Sequence, residues 1–160
     1  MSVANLHELH VGLCELAGCE PPPLQGEPHG PQGFALHWKG VPLGFSESDA
    51  RPGIVFATAT LGTMPPECEA EGWRILMAAN FGLAGHEGGG YSRVPGSGEV
   101  LMHAMFALHE TTVPDVFRFA CSMAEKALEW RDDCLFGDTA GAASPPAPAV
   151  VRPPADFARA

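Results

Sequence analysis

The spacing of apolar residues changes repeatedly along this 160-residue chain, and that rhythm constrains the fold more than any motif does. Over residues 3–17, Leu6, Leu9, Leu13 and Leu16 recur at helical intervals, the stripe of an amphipathic helix. Gly18 and Pro21-Pro22-Pro23 predict its end, because glycine suits the position after a helix and proline cannot continue one. Residues 24–33 read as a loop. From Phe34 the period drops to two: Phe34, Leu36 and Trp38, then Val41, Leu43 and Phe45 after Gly40. Pro42 falls inside that run, which predicts an edge strand or a ladder position needing no N–H. Asp49–Gly53 reads as a turn and Ile54–Leu61 as a third, β-rich strand.

Helical spacing returns over 67–81. Pro65 and Pro66 stand at its entrance, Glu67, Glu69 and Glu71 complement the helix dipole, and Trp73, Leu76, Met77 and Asn80 form one row. Gly85–Gly90 reads as a loop, Tyr91–Val94 as a short strand, Pro95–Gly98 as a turn and Val100–Leu108 as a long strand, which together predict a hairpin. Thr112 with Asp115 three residues on predicts the start of a last helix reaching about Leu135, its buried face traced by Val116, Phe117, Ala120, Ala124, Ala127 and Leu128. The order α-β-β-β-α-β-β-α predicts an α+β domain over 1–136: an antiparallel twisted sheet with three helices. Residues 137–160, rich in alanine and proline without apolar periodicity, read as a disordered tail.

Composition narrows the partners. Lys and Arg number 9 against 19 Asp and Glu, a net charge of −10, which disfavours phosphate backbones and anionic lipid and favours a basic polypeptide. The N-terminus lacks the basic residues and apolar run of a signal peptide, and no stretch is long enough for a membrane helix, so neither nucleic acid nor membrane is expected as a partner. Five scattered cysteines without C-x-x-C argue against a disulfide framework or zinc site and fit a reduced cytosol.

Catalytic chemistry is not legible. There is no phosphate-cradling G-x-x-x-x-G-K-[ST] and no G-x-S-x-G. His7 and His10 lie one turn apart but have only Glu8 or Cys14 nearby, and they read as polar positions beside the leucine stripe. His103 and His109 are too far apart along a strand to share a ligand. Cys68 stands among glutamates that oppose a thiolate. Asp132-Asp133 reads as a solvated helix end. No cofactor, metal or catalytic residue is expected, and the chain reads as a non-enzyme. What does stand out is apolar surface in excess of one thin sheet: Val100, Met102 and Phe106 alternate with Leu101 and Met105, so both faces of the last strand are apolar.

Ile75-Leu76-Met77-Ala78-Ala79-Asn80-Phe81 is similar to the "LL-x-x-N" second helix of the class I type III secretion chaperones, the Tir-chaperone (CesT-like) family. Phe117, Phe119, Ala124 and Trp130 resemble that family's closing F…A…W helix, and the leucine helix and the order of elements fit as well. The resemblance covers about residues 2–136. It implies a cytoplasmic bacterial homodimer that binds the N-terminal segment of a secreted effector in extended form and keeps it soluble and competent for the secretion ATPase. It places effector binding on Leu6, Leu9, Leu13, Phe34, Leu36, Trp38, Val41, Leu43 and Phe45. The dimer interface falls on Trp73, Leu76, Met77, Asn80, Met102 and Met105. Two other classes stay open. One is a small α+β ligand-binding domain or enzyme using His37, His86 or Cys68. The other is an interaction adaptor that presents its proline-rich tail.

Overall fold

The computed structural model describes residues 2–26, 31–83 and 89–132. The expected tail 137–160, the end of the last helix at Leu135, Asp133, Cys134, His86 and most of the Gly85–Gly90 loop lie outside these residues.

Helix α1 spans Leu6–Ala17. Its start is fixed by Asn5, whose side chain accepts from the Glu8 N–H, while the Glu8 carboxylate accepts from the Ala4 N–H at 2.8 Å. The chain then gives β1 (Gln25–Gly26), β2 (Gln32–Trp38), β3 (Val41–Glu47) and β4 (Ile54–Thr63). A 3-10 turn at Pro66–Cys68 leads into α2 (Glu69–Leu83). Strands β5 (Gly90–Arg93) and β6 (Glu99–Ala107) follow, and α3 covers Val113–Asp132. Thr112 caps α3 as its spacing to Asp115 predicts, with the Asp115 N–H donating to the hydroxyl.

All strands join one antiparallel sheet in the order β1-β2-β3-β4-β6-β5. The α+β architecture with three helices stands as expected, with one addition. Part of the 24–33 segment read as loop forms β1, a two-residue strand paired to Gln32 and Gly33. The addition escaped the pattern because two residues carry no alternation.

Pro42 also differs from one of its two readings. Strand β3 is central, between β2 and β4, so the proline is not on an edge. It is tolerated because the β3–β4 ladder begins only at Leu43↔Ala59. The Lys39-Gly40 turn has φ of 50° and 78°, the two positive angles of a type I′ hairpin. Such a turn makes Trp38↔Val41 a hydrogen-bonded pair and His37↔Pro42 a non-bonded one, so the missing N–H would have pointed away from β2 into a space where no ladder bond forms.

Helices α1 and α3 pack on each other and on one face of β2, β3 and β4. Val55, Ala57, Ala59 and Leu61 of β4 meet Val41, Leu43 and Phe45 of β3 and the α3 residues Val116, Ala120, Met123, Ala124 and Ala127 in one core. Phe34 and Phe45 stack with ring centroids 5.0 Å apart at its centre. Burying such a large apolar side chain contributes about 1.5–3 kcal/mol each, which is why the period-2 stretches hold their register. Near the β4 bulge at Thr60/Gly62, Arg131 of α3 donates to the Leu61 and Thr60 carbonyls at 2.6 and 2.7 Å, satisfying acceptors that the irregular ladder leaves over. Among the described residues, no helix is long and apolar enough to cross a membrane.

Candidate functional site

Among the described residues, two features of the sheet have no covering element: its β2 edge and the face opposite α1 and α3. At the β2 edge, β1 reaches only Gln32 and Gly33, so the strand from Phe34 to Trp38 has no outer neighbour among the described residues. The hairpin register turns the N–H and C=O of Ala35 and His37 outward, away from β3. Directly beside this edge runs a narrow crevice between α1 and α3, lined by Leu13, Leu36, Trp38, Phe45, Phe117 and Cys121. Trp38 meets Phe117 edge-on at 5.2 Å, and its buried indole Nε1 has no hydrogen-bond partner among the described residues. An unpaired strand edge beside a partly exposed tryptophan offers main-chain pairing and an apolar contact at one place, both of use in holding an extended peptide.

Of the nine residues the resemblance gives to effector binding, only Trp38 borders this edge with part of its side chain exposed. Leu6, Leu9, Leu13, Phe34, Leu36, Val41, Leu43 and Phe45 are all buried in the core. Their side chains fasten α1 and the β2–β3 hairpin to the sheet. Alternation along a strand identifies the apolar face, and in this chain that face is the one under α1 and α3.

The opposite face is built from the other half of each strand. Register places Phe56 beside Met105, Thr58 beside His103, and Thr60 beside Leu101, with Gly44 and Gly90 flanking the Thr58–His103 pair. All these side chains except glycine are partly exposed. Burial holds His103 below the ordinary histidine value, and its Nδ1 lies 3.3 Å from the Ser92 hydroxyl. At the β5 edge α2 presents Met77 (57% exposed) and Phe81 (86% exposed), one turn apart.

The six residues expected at a dimer interface therefore divide. Met77 is on the surface and Met105 on the open face. Leu76 is fully buried, and Trp73 and Met102 pack partly against the core. Asn80 acts as a short strand: its side-chain amide accepts from the Tyr91 N–H at 2.6 Å and donates to the Tyr91 carbonyl at 3.1 Å, closing the free edge of β5. Leu101, read with Met105 as the second apolar face of the last strand, joins the exposed set, and so do Phe56 and Phe81, which were not assigned to the interface. Phe81 was legible as the residue one helical turn after Met77, and Phe56 as the residue out of phase with Val55 and Ala57.

Among the described residues, the titratable groups singled out in the sequence stand apart from one another. His10 is buried at 3% exposure against Phe34, ring centroids 4.4 Å apart, instead of lying at a polar position beside the leucines. Burial, and secondarily His7, hold it below the ordinary value of 6.5. Cys68 is half-buried in the 3-10 turn before α2 and His37 is exposed on β2. No group of three or more metal-ligating side chains occurs among the described residues. A groove of about 520 Å³ between β6 and the start of α3 is lined by Met102, Phe106, Val116 and Phe119, and its Asp115 is taken up by Thr112 and Arg118.

No protein-family profile and no curated protein sequence matches the chain. Solved structures do. A chain of the ExsC–ExsE complex superposes with a TM-score of 0.60 at 15% identity, covering 80% of this chain and 95% of that one. A chain of the HopA1–SchA chaperone–effector complex gives a TM-score of 0.56 at 19% identity, covering 79% of this chain and 92% of that one. The fold implied by the resemblance, that of the class I type III secretion chaperones, is the fold this chain has.

Proposed function

We propose that this chain is a type III secretion chaperone: a homodimer that binds the N-terminal segment of a secreted effector in extended form in the bacterial cytosol, keeps it soluble, and presents it to the secretion ATPase. The observation that carries this reading is the β2 edge, where outward backbone groups of Ala35 and His37 adjoin the crevice beside Trp38. An incoming strand would pair with that edge and lay alternate side chains against Trp38, with no covalent step. The fold shared with a chaperone–effector complex supports the same reading. A chain charge of −10 favours a basic effector segment and speeds its capture. The second copy is assigned to the open face, where Phe56, Leu101 and Met105 would be covered together with Met77 and Phe81.

The test is a tagged pull-down from the native host, washed in high salt. One partner held through its N-terminal segment by two copies of this chain is the expected result. Ala35→Pro removes an outward N–H while sparing the bonds to β3, so it should lose the partner and keep the dimer. Recovery of the chain alone and monomeric refutes the proposal.

A further inference from the structure

The C-terminal end of α1 is closed by a complete Schellman motif. Gly18 is left-handed (φ 68°, ψ 32°), its N–H donates to the Glu15 carbonyl at 3.2 Å, and the Cys19 N–H donates to the Cys14 carbonyl at 3.0 Å. In this motif the residue three from the helix end and the one two beyond the cap frequently make a side-chain contact. Both are cysteines here, Cys14 and Cys19, and the main-chain hydrogen bond between them sets the two residues side by side. Cys14 is fully buried and Cys19 is exposed.

We propose that Cys14 and Cys19 are a reversible dithiol–disulfide site, in which oxidation closes an intramolecular bridge across the end of α1. The 3.0 Å main-chain hydrogen bond brings the same two residues together, as a disulfide requires of partners whose Cα atoms it joins over about 4.4–6.8 Å. Glycine at position 18 is what permits this approach, since the left-handed turn strains any residue carrying a Cβ. The other cysteines described, Cys68 before α2 and Cys121 on α3, belong to separate elements.

The exposed Cys19 is the sulfur a soluble oxidant reaches. With glutathione disulfide as oxidant, the Cys19 thiolate displaces one glutathione thiolate and forms a mixed disulfide. The Cys14 sulfur, losing its proton to solvent, then attacks the Cys19 sulfur and releases the second glutathione. Two protein thiols are oxidised, one glutathione disulfide is reduced to two thiols, and no other reactant is needed. Burial pushes the Cys14 thiol up to about 11, with the Cys19 sulfur adding to the shift, so the second displacement is the slow step. The bridge would tie the end of α1 to the segment that leads through Pro21–Pro23 into β1, and so to the strand that partly covers the β2 edge.

The experiment equilibrates the full chain in glutathione redox buffers, folded and again in urea, then alkylates free thiols and maps the peptides. A Cys14–Cys19 bridge that half-forms at a lower proportion of glutathione disulfide in the folded chain than in urea is expected, with Cys68 and Cys121 still alkylated. Cys14→Ser and Cys19→Ser should each abolish the bridge. Gly18→Val, which keeps both thiols, should move the folded midpoint toward the urea value, with circular dichroism confirming the fold. A folded midpoint equal to or above that in urea overturns the proposal. So does a glutathione adduct that persists on Cys19 beside a free Cys14 in the folded chain.

Discussion

Asn80→Ala separates two roles that one residue could have. The side chain holds both backbone groups of Tyr91 at a strand edge that has no further strand beyond it among the described residues. Each such bond contributes about 0.5–1.5 kcal/mol net, and the groups it leaves behind are only part-buried, so their loss should cost about 2 kcal/mol in all. For a chain of this size that is a fall in Tm of about 4–8 °C. The measurement is urea unfolding followed by circular dichroism over a wide range of protein concentration, with hydrogen exchange at the Tyr91 N–H. The expected result is a lower midpoint with a similar offset at every concentration, and loss of protection at Tyr91. Asn80→Asp should do worse, because it keeps the acceptor for the Tyr91 N–H but sets a carboxylate against the Tyr91 carbonyl. An Asn80→Ala chain with an unchanged midpoint refutes the strand-mimic role. If the cost appears only through a shifted dimer dissociation, Asn80 acts at the interface and not at the β5 edge.

Met105→Glu places a charge beside Phe56 on the open face; it should weaken the proposed dimer on the order of a hundredfold in sedimentation equilibrium while the circular dichroism stays native. His10 is held neutral by burial, so its folded pKa lies below the unfolded 6.5. The unfolded chain then binds the extra proton first, and stability is complete above about pH 6.5, falling as pH drops below it until the folded pKa is passed. His10→Leu should flatten that part of the pH profile, seen in urea midpoints at pH 7.5 and 5.5. Arg131→Met strips two carbonyls near the β4 bulge of a charged donor, and should cost about 2–3 kcal/mol in guanidinium unfolding. If the midpoint does not move, water serves those carbonyls equally well.

Much of this protein is fixed locally and is legible along the chain. The leucine spacing and Gly18 define α1, the period-2 runs define β2, β3 and β4, and Thr112 with Asp115 starts α3, because helix caps, turns and alternation act within a few residues. The site is less legible. Period two tells that Leu36, Leu43 and Phe45 share a face with Trp38, but helices arriving from both ends of the chain decide that this face is core and that Phe56 and Met105 are left open. Asn80 reads as one more polar residue in a helical row until the sheet brings Tyr91 to it. Strand β1 exists only because β2 is there to pair with. Periodicity assigns side chains to faces, whereas burial is a property of what packs against those faces, and only the tertiary structure supplies that.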